Sequence, residues 1–155
     1  MNAKLINAFI DAAAEVLALE TGGTISRGQV TMQESQYATS DVNVHLAIVG
    51  RLEGAVLFAM SSEAALKIVS GMIGQKMEVL DDLAQSGIAE LGNVISGRAG
   101  TLLAEMGYQI KISVPTLVMG KGATISILDY RRLVVPVTCD YGDIHVHVAL
   151  REVPS

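Results

Sequence analysis

The sequence predicts an α+β fold, a single domain over residues 1–155 in which about three helices pack on an antiparallel sheet of about six strands. Three segments carry apolar residues at helical spacing, and all of them lie before residue 108. Strand-like segments separated by tight turns make up most of the remaining chain, and strands joined in this way pair antiparallel. Helices lying against such a sheet are typical of the α+β class.

The helices and one hairpin occupy the first two-thirds of the chain. Apolar periodicity, capping residues and helix-ending glycines set their bounds. In chain order we predict a helix from Asn2 to Glu20, a polar loop with one short strand over residues 24–40, a hairpin of strands Val42–Ile48 and Ala55–Met60, a helix from Ser61 or Ser62 to near Gly74, and a helix from Asp81 or Asp82 to about Met106.

The last third of the chain carries only strand signals. The predicted strands are Gln109–Val114, Leu117–Met119, Thr124–Asp129, Leu133–Cys139 and Ile144–Leu150. Residues Asp140 to Asp143 predict a hairpin turn between the last two strands. Pro115 and Pro136 are expected at strand ends, edges or bulges, because proline cannot donate a hydrogen bond to the ladder.

Composition narrows the class of partner. Half of the residues are hydrophobic, but only two are Phe and four are Tyr, so the core must be aliphatic. A net charge of −5 and the lack of a basic cluster argue against nucleic acid, and no apolar run is long enough for a membrane span. A lone cysteine, Cys139, is expected in the core, and no secretion signal is apparent, so a cytoplasmic protein with protein partners is expected.

The helix over residues 82–106 has two contrasting faces. At about 100° per residue, one arc collects large apolar side chains and is expected to pack on the sheet. That arc contains Leu83, Leu91, Val94, Ile95, Leu102 and Met106, and the opposite arc contains Ser86, Glu90, Asn93, Gly97 and Gly100. Asparagine is a poor helix former, so its position in mid-helix is unusual for a plain solvated face.

Four glycines within this helix call for an explanation. Gly87, Gly92, Gly97 and Gly100 each cost up to about 1 kcal/mol relative to alanine in a helix interior. Small residues allow two elements of one fold to pack closely, and they also allow the backbone of another protein to approach. The sequence leaves both explanations open.

The polar residues of this helix stand at fixed distances from a proline. Ser86-x3-Glu90-x2-Asn93 is followed, after 21 intervening residues, by Pro115. This resembles the Asp/Ser-x3-Glu-x2-Asn-x21-Pro pattern of the CheC/CheX/FliY phosphatase family, and the neighbouring Leu91 and Gly92 are similar as well. The order of elements resembles the CheX branch of that family over residues 2–151.

The resemblance implies a phosphatase that hydrolyses the aspartyl phosphate of a CheY-type response regulator. In this family the catalytic positions correspond to Glu90, which pairs with a lysine of the receiver domain, and Asn93, which orients the attacking water. Ser86 and Gly97 are then expected at the contact with the partner, whereas Gly92 and Pro115 belong to the motif as structural residues. The resemblance further implies that the chain needs no metal or cofactor of its own, because the receiver supplies Mg²⁺, and that it forms a homodimer joined through sheet edges.

This chemistry suits a carboxamide. The aspartyl carboxylate is a good leaving group, with a pKa of about 4, so the reaction needs no strong general acid. An amide side chain has both a donor and an acceptor for a water molecule, and it stays neutral beside anionic phosphate oxygens. A carboxylate in the same place would be repelled by the phosphoryl group.

Two interpretations without catalysis stay open. The chain can be an interaction module of the flagellar-switch type, since relatives of this fold work in assembly, or a regulatory dimer that binds a receiver without acting on it. The first helix contains Asp11-x3-Glu15-x2-Ala18, which repeats the spacing but has alanine where a second site would need asparagine. One active site is therefore expected.

A zinc site is a weaker hypothesis. His145-x-His147 places two imidazoles on one face of a strand, and His45 or Asp143 would have to add the remaining ligands. A structural role for these histidines is favoured, because no clear third ligand stands at a suitable spacing.

Overall fold

The computed structural model describes residues 3–126 and 131–154. Its elements are α1 (Ala3–Thr21), β1 (Ser26–Arg27), β2 (Thr31–Gln33), β3 (Gln36–Ala38), β4 (Val42–Gly50), β5 (Leu52–Met60), α2 (Ser62–Ile73), α3 (Asp82–Glu105), β6 (Ile110–Ile112), β7 (Thr116–Met119), β8 (Thr124–Ser126), β9 (Arg132–Cys139) and β10 (Gly142–Glu152). Asn2 of the predicted first helix and residues 127–129 of a predicted strand lie outside the described residues.

The strands form one large sheet and one small sheet. The large sheet has the order β1-β9-β10-β5-β4-β6, with β2 also paired to β9 and β7 also paired to β4, and every pairing is antiparallel. The small sheet consists of β3 and β8. The predicted α+β class is confirmed, but the described residues form ten strands where about six are predicted. Part of the excess comes from residues 24–40, which contribute three short strands in place of one.

The two faces of the large sheet are covered differently. The three helices bury one face, which presents side chains such as Val44, Phe58 and Val146. The other face presents Leu57 and a set of alanines, which pack with Tyr37 of β3 and Ile125 of β8. Because side chains alternate along a strand, each central strand contributes to both layers. The core is largely aliphatic, as its composition predicts, and Cys139 is buried in it as a free thiol.

The helix ends follow the predicted caps. The Ser61 hydroxyl accepts a hydrogen bond from the Ala64 backbone N–H at 3.0 Å, and the Asp81 carboxylate accepts one from the Ala84 N–H at 2.9 Å. Gly74 ends α2 in the left-handed conformation, with φ of 75°. Both helices that pack beside each other on the sheet therefore have their start points set by local sequence.

The two prolines lie where the ladder has no need of their missing N–H. Pro115 lies between β6 and β7, at a strand end. Pro136 lies inside β9, between the segment that pairs with β2 and the segment that pairs with β1. Its carbonyl accepts a hydrogen bond from the Gly28 N–H at 2.8 Å on that same side, where no strand requires a donor. The predicted strand-end placement is confirmed for Pro115, whereas Pro136 lies inside a strand, at an interruption between two short partners.

Candidate active site

Helix α3 packs on the sheet through its small residues. Its buried side is formed by Ala84, Ile88, Leu91, Gly92, Ile95, Ser96, Ala99 and Leu103. The predicted core residues Leu83, Val94 and Met106 are instead 55%, 43% and 41% exposed, so that part of the prediction is wrong. The buried arc is rotated by about 70° from the predicted one, because close contact with β4 requires small side chains and the sequence pattern weighted large ones.

Two of the helix glycines are explained by packing inside the fold. A Cβ atom on Gly92 would lie 2.7 Å from Cγ1 of Val44 in β4, and one on Gly87 would lie 2.4 Å from Cγ2 of Val69 in α2. Side chains at these positions would force the helix away from its neighbours. Close packing within the fold, the first explanation above, is therefore correct for Gly87 and Gly92.

Gly97 has no such explanation. It is exposed, and a Cβ atom built on it would meet no atom within 4 Å. Gly100 is intermediate, since its Cβ would make an ordinary contact with Ile112 at 3.5 Å. Glycine destabilises a helix relative to alanine. At Gly97 no close packing in the described part of the chain offsets that destabilisation.

The polar residues of the motif lie together on the outer side of α3. Ser86, Glu90 and Asn93 are all exposed, and Glu90 and Asn93 stand about 4.5 Å apart along the helix axis. Within residues 3–126 and 131–154, neither the Glu90 carboxylate nor the Asn93 amide forms a hydrogen bond or an ion pair. A docking protein can therefore reach both groups without first breaking an internal contact.

The strand register links the segment after Pro115 to the part of β4 that packs against α3. In β7, which begins at the next residue, Leu117 pairs with Val44 of β4. Val44 is also the side chain that touches the backbone of Gly92, the neighbour of Asn93. Pro115 therefore directly precedes the strand that pairs with the part of β4 lying against Gly92.

The acidic residues of α1 are in a different situation. The Glu15 carboxylate accepts a hydrogen bond from Nε of Arg98 in α3 at 3.0 Å, and the Asp11 carboxylate pairs with Arg27 at 3.5 Å. Ala18 provides no polar group. Because both carboxylates are already paired within the fold, the repeated spacing in α1 does not form a second free polar face.

The histidines lie on the face of the sheet opposite the helices. Nδ1 of the buried His147 accepts a hydrogen bond from Nε of Arg132 at 3.0 Å, and the ring stands edge-on to Tyr37. Burial, with smaller contributions from the charges of Arg132 and His145, lowers the pKa of His147 to about 3. Burial also lowers the pKa of His45. In the described ranges no three His, Cys, Asp or Glu side chains are grouped to hold a metal ion.

Sequence reasoning missed part of this surface. Leu83 and Val94, predicted as core, are exposed before and after Glu90 along α3, and Ile73 of α2, which is 37% exposed, approaches the helix at Gly87. The signal that helps to find them is Gly87, since a glycine at a helix contact brings α2, and with it Ile73, close to the face that carries Glu90.

The fold and this exposed helix face define a class of protein. A CheC-like superfamily protein from Shewanella sp. PV-4 superposes with a TM-score of 0.86 and is 26% identical, over 97% of this chain and 99% of that one. The crystal structure of a complex of CheX, CheY, BeF3 and Mg²⁺ from Borrelia burgdorferi gives a TM-score of 0.80 at 28% identity, over 95% and 97% of the two chains. The architecture is that of the CheC-like superfamily.

Sequence comparison then identifies the family. Residues 42–138 match the family model described as chemotaxis phosphatase CheX. The CheY-P phosphatase CheX of Thermotoga maritima is 35% identical over 127 residues, which is 81% of each chain. The chain belongs to the CheX family of chemotaxis phosphatases. None of the helices in its described part combines the length and the apolar character that crossing a membrane requires.

Proposed function

We propose that this protein hydrolyses the aspartyl phosphate of a CheY-type response regulator, with Asn93 orienting the attacking water. The observation that carries the proposal is an exposed Glu90 and Asn93 on a helix of a CheX-family fold, with side chains that have no partner among the described residues. The names of its relatives support the substrate class, since one is a CheY-P phosphatase and another forms a complex with CheY, BeF3 and Mg²⁺.

The proposed reaction is a displacement at phosphorus. Oxygen of a water molecule bonded to the Asn93 side chain forms the new P–O bond, while the bond to the aspartyl oxygen breaks and its electron pair leaves on the carboxylate. The proton of the water passes to a phosphate oxygen, so the products are aspartate and inorganic phosphate. Receiver-bound Mg²⁺ balances phosphoryl charge, and the chain itself contributes position.

Glu90 has an anchoring role in this proposal. Its carboxylate lies one turn before Asn93 on the same face, where it can pair with a lysine of the receiver. An ion pair formed on docking fixes the register of α3 over the phosphoryl group and leaves the amide directed at the phosphorus atom. We expect Glu90→Ala to raise KM more than it lowers kcat.

Ser86 and Gly97 are proposed to contact the receiver at either side of the pair. Gly97 stands one turn beyond Asn93, and a Cβ atom built on it would meet no described atom within 4 Å. The close approach of a receiver loop explains why glycine is present there. Ser86 lies one turn before Glu90 and is exposed at the rim of the same face.

A phosphatase assay against the receiver domains encoded in the same genome tests the function. Wild-type protein should accelerate loss of phosphate from at least one receiver, and Asn93→Ala should reduce that acceleration by about 100-fold or more. The variant should stay folded, because alanine is a better helix former than asparagine at an exposed position. Asn7→Ala, which removes an exposed amide from α1, is the matched control and should keep full activity.

The alternative functions give different results in the same assay. An interaction module or a regulatory dimer would bind a receiver, and the rate of phosphate loss would stay at that of the receiver alone. Full activity of Asn93→Ala would remove the positioning role.

The proposal includes a cytoplasmic homodimer joined through sheet edges. The edge strand β2 has all three residues exposed, Met32 is 62% exposed, and the adjacent Val30 is 55% exposed. Short edge strands with unpaired backbone groups offer a place for a second copy. Sedimentation velocity over a range of concentrations tests the oligomeric state.

A further inference from the structure

The exposed face of α3 has a polar edge and an apolar edge. Around the helix axis Asn93 and Ser86 lie about 60° and 40° to one side of Glu90, whereas Leu83 and Val94 lie about 20° and 40° to the other side. Both apolar side chains are substantially exposed, at 55% and 43%. Glu90 therefore stands on the boundary between the two edges.

Helix α2 extends the apolar edge. A Cβ on Gly87 would approach Cδ1 of Ile73 to 3.9 Å, in addition to its clash with Val69. Gly87 is one turn after Leu83 and one turn before Glu90 on the same helix. The glycine that allows α2 to pack closely also brings Ile73 to this side of α3, at a level between Leu83 and Val94. Leu83 and Val94 stand about 16 Å apart along the axis, and we call Ile73, Leu83 and Val94 together the apolar edge.

The fold alone does not account for this surface. Isolated exposed apolar residues are ordinary, but three of them on the side of a helix that carries a carboxylate and an amide without partners in the described chain are typical of an interaction site. A standard protein interface covers about 800 Å² per partner, which corresponds to a patch with a radius of about 16 Å. Leu83 and Val94 lie about 10 Å and 6 Å along the axis from Glu90, well within that radius.

We propose that Ile73, Leu83 and Val94 form the apolar half of the docking surface for the phosphorylated receiver domain, a role that rests on the proposed function. Any receiver whose phosphoryl group meets Asn93 must also cover this edge, because the two edges adjoin. The polar edge performs the chemistry. The apolar edge contacts the receiver equally strongly in the ground-state complex and in the transition state. Contacts of that kind change KM and leave kcat unchanged.

The test uses Leu83→Gln, Val94→Gln and the double variant, with the receiver that wild-type protein dephosphorylates fastest in the panel above. The double variant should raise KM about tenfold, equivalent to about 1.4 kcal/mol, with kcat within about twofold of wild type. Leu19→Gln on α1, where the side chain is 79% exposed, is the matched control and should change neither constant. Circular dichroism and urea unfolding should show unchanged folding of all variants, because the altered side chains are largely exposed.

Three results would overturn the inference. An unchanged KM in the double variant shows that the apolar edge does not meet the receiver. A fall in kcat at constant KM assigns these residues to the chemical step. A shift of a wild-type dimer to monomer in sedimentation velocity assigns the edge to a second copy of the chain. Failure of the proposed function is recognised separately, since wild-type protein would then accelerate no receiver.

Discussion

Helices α1 and α3 each carry a glutamate and a second polar position four residues before it. In α1 these are Asp11 and Glu15, and arginines on neighbouring elements pair with both. In α3, Ser86 and Glu90 are exposed, and Glu90 has no ion pair within the described ranges. The comparison shows that spacing alone does not define a site. A polar side chain on a rigid helix becomes available for function when the fold leaves it without a partner.

The same contrast separates the two faces of the sheet. Opposite the helices, Arg132 donates to His147, to the Gln33 side chain and to the backbone carbonyls of Glu34 and Gln36. Its guanidinium carbon also lies 5.3 Å from the ring centroid of Tyr37. These buried polar groups are engaged with one another and hold the segment around β3 against the sheet, so their role is structural.

The largest expected effect comes from trying to build the missing site in α1. Ala18→Asn in an Asn93→Ala background should remain at least about 100-fold less active than wild type, because Arg98 still engages Glu15 and no motif proline supports α1. The measurement is receiver dephosphorylation under the conditions used for Asn93→Ala. Recovery of activity would show that local spacing is sufficient and that the ion pairs of α1 do not prevent it from forming a site.

Two glycines of α3, one packed inside the fold and one exposed, are expected to respond in opposite ways to substitution by alanine. Gly92→Ala should lower the free energy of unfolding by about 1–3 kcal/mol, because the new methyl group overlaps Val44. Gly97→Ala should raise it by up to about 1 kcal/mol, since the position is open and alanine favours the helix. Urea unfolding measures both.

Activity of the same two variants separates structure from function. Gly97→Ala should reduce dephosphorylation despite its gain in stability, whereas Gly92→Ala should lose activity only as far as it loses folded protein. A fully active Gly97→Ala would remove that position from the proposed receiver contact.

An effect of pH is expected on the face of the sheet opposite the helices. The pKa of His147 is about 3 in the folded protein and about 6.5 when unfolded, so between these values the unfolded chain binds the additional proton. The free energy of unfolding should therefore decrease as pH falls from 6.5 towards 3, by at most about 1.4 kcal/mol per pH unit. Above pH 6.5 His147 is neutral in both states, so its stabilising contribution is fully present there and no longer changes with pH.

Two histidine variants isolate this contribution. His147→Gln should flatten the dependence of unfolding free energy on pH between pH 5 and pH 7, measured by urea unfolding. His145→Gln alters an exposed neighbour and should leave most of the slope in place. Equal slopes in both variants would contradict a buried, neutral His147.

The features that could be predicted from the sequence are those that depend on neighbours along the chain. The α+β class, the caps Ser61 and Asp81, the hairpin turn after Cys139, the placement of Pro115 and the exposure of Glu90 and Asn93 all follow from local pattern. Capping, turn geometry and side-chain alternation act over a few residues, so a linear pattern contains the relevant information.

The contacts between residues of distant segments could be known only from the tertiary structure. It placed Leu83 and Val94 outside the core, because α3 approaches β4 through Gly92 and its small neighbours and not through its largest side chains. It also paired Glu15 with Arg98, 83 residues away, and gave Glu90 no partner within residues 3–126 and 131–154. Contacts between distant segments depend on how elements pack in space, and residue spacing within one helix contains no record of them.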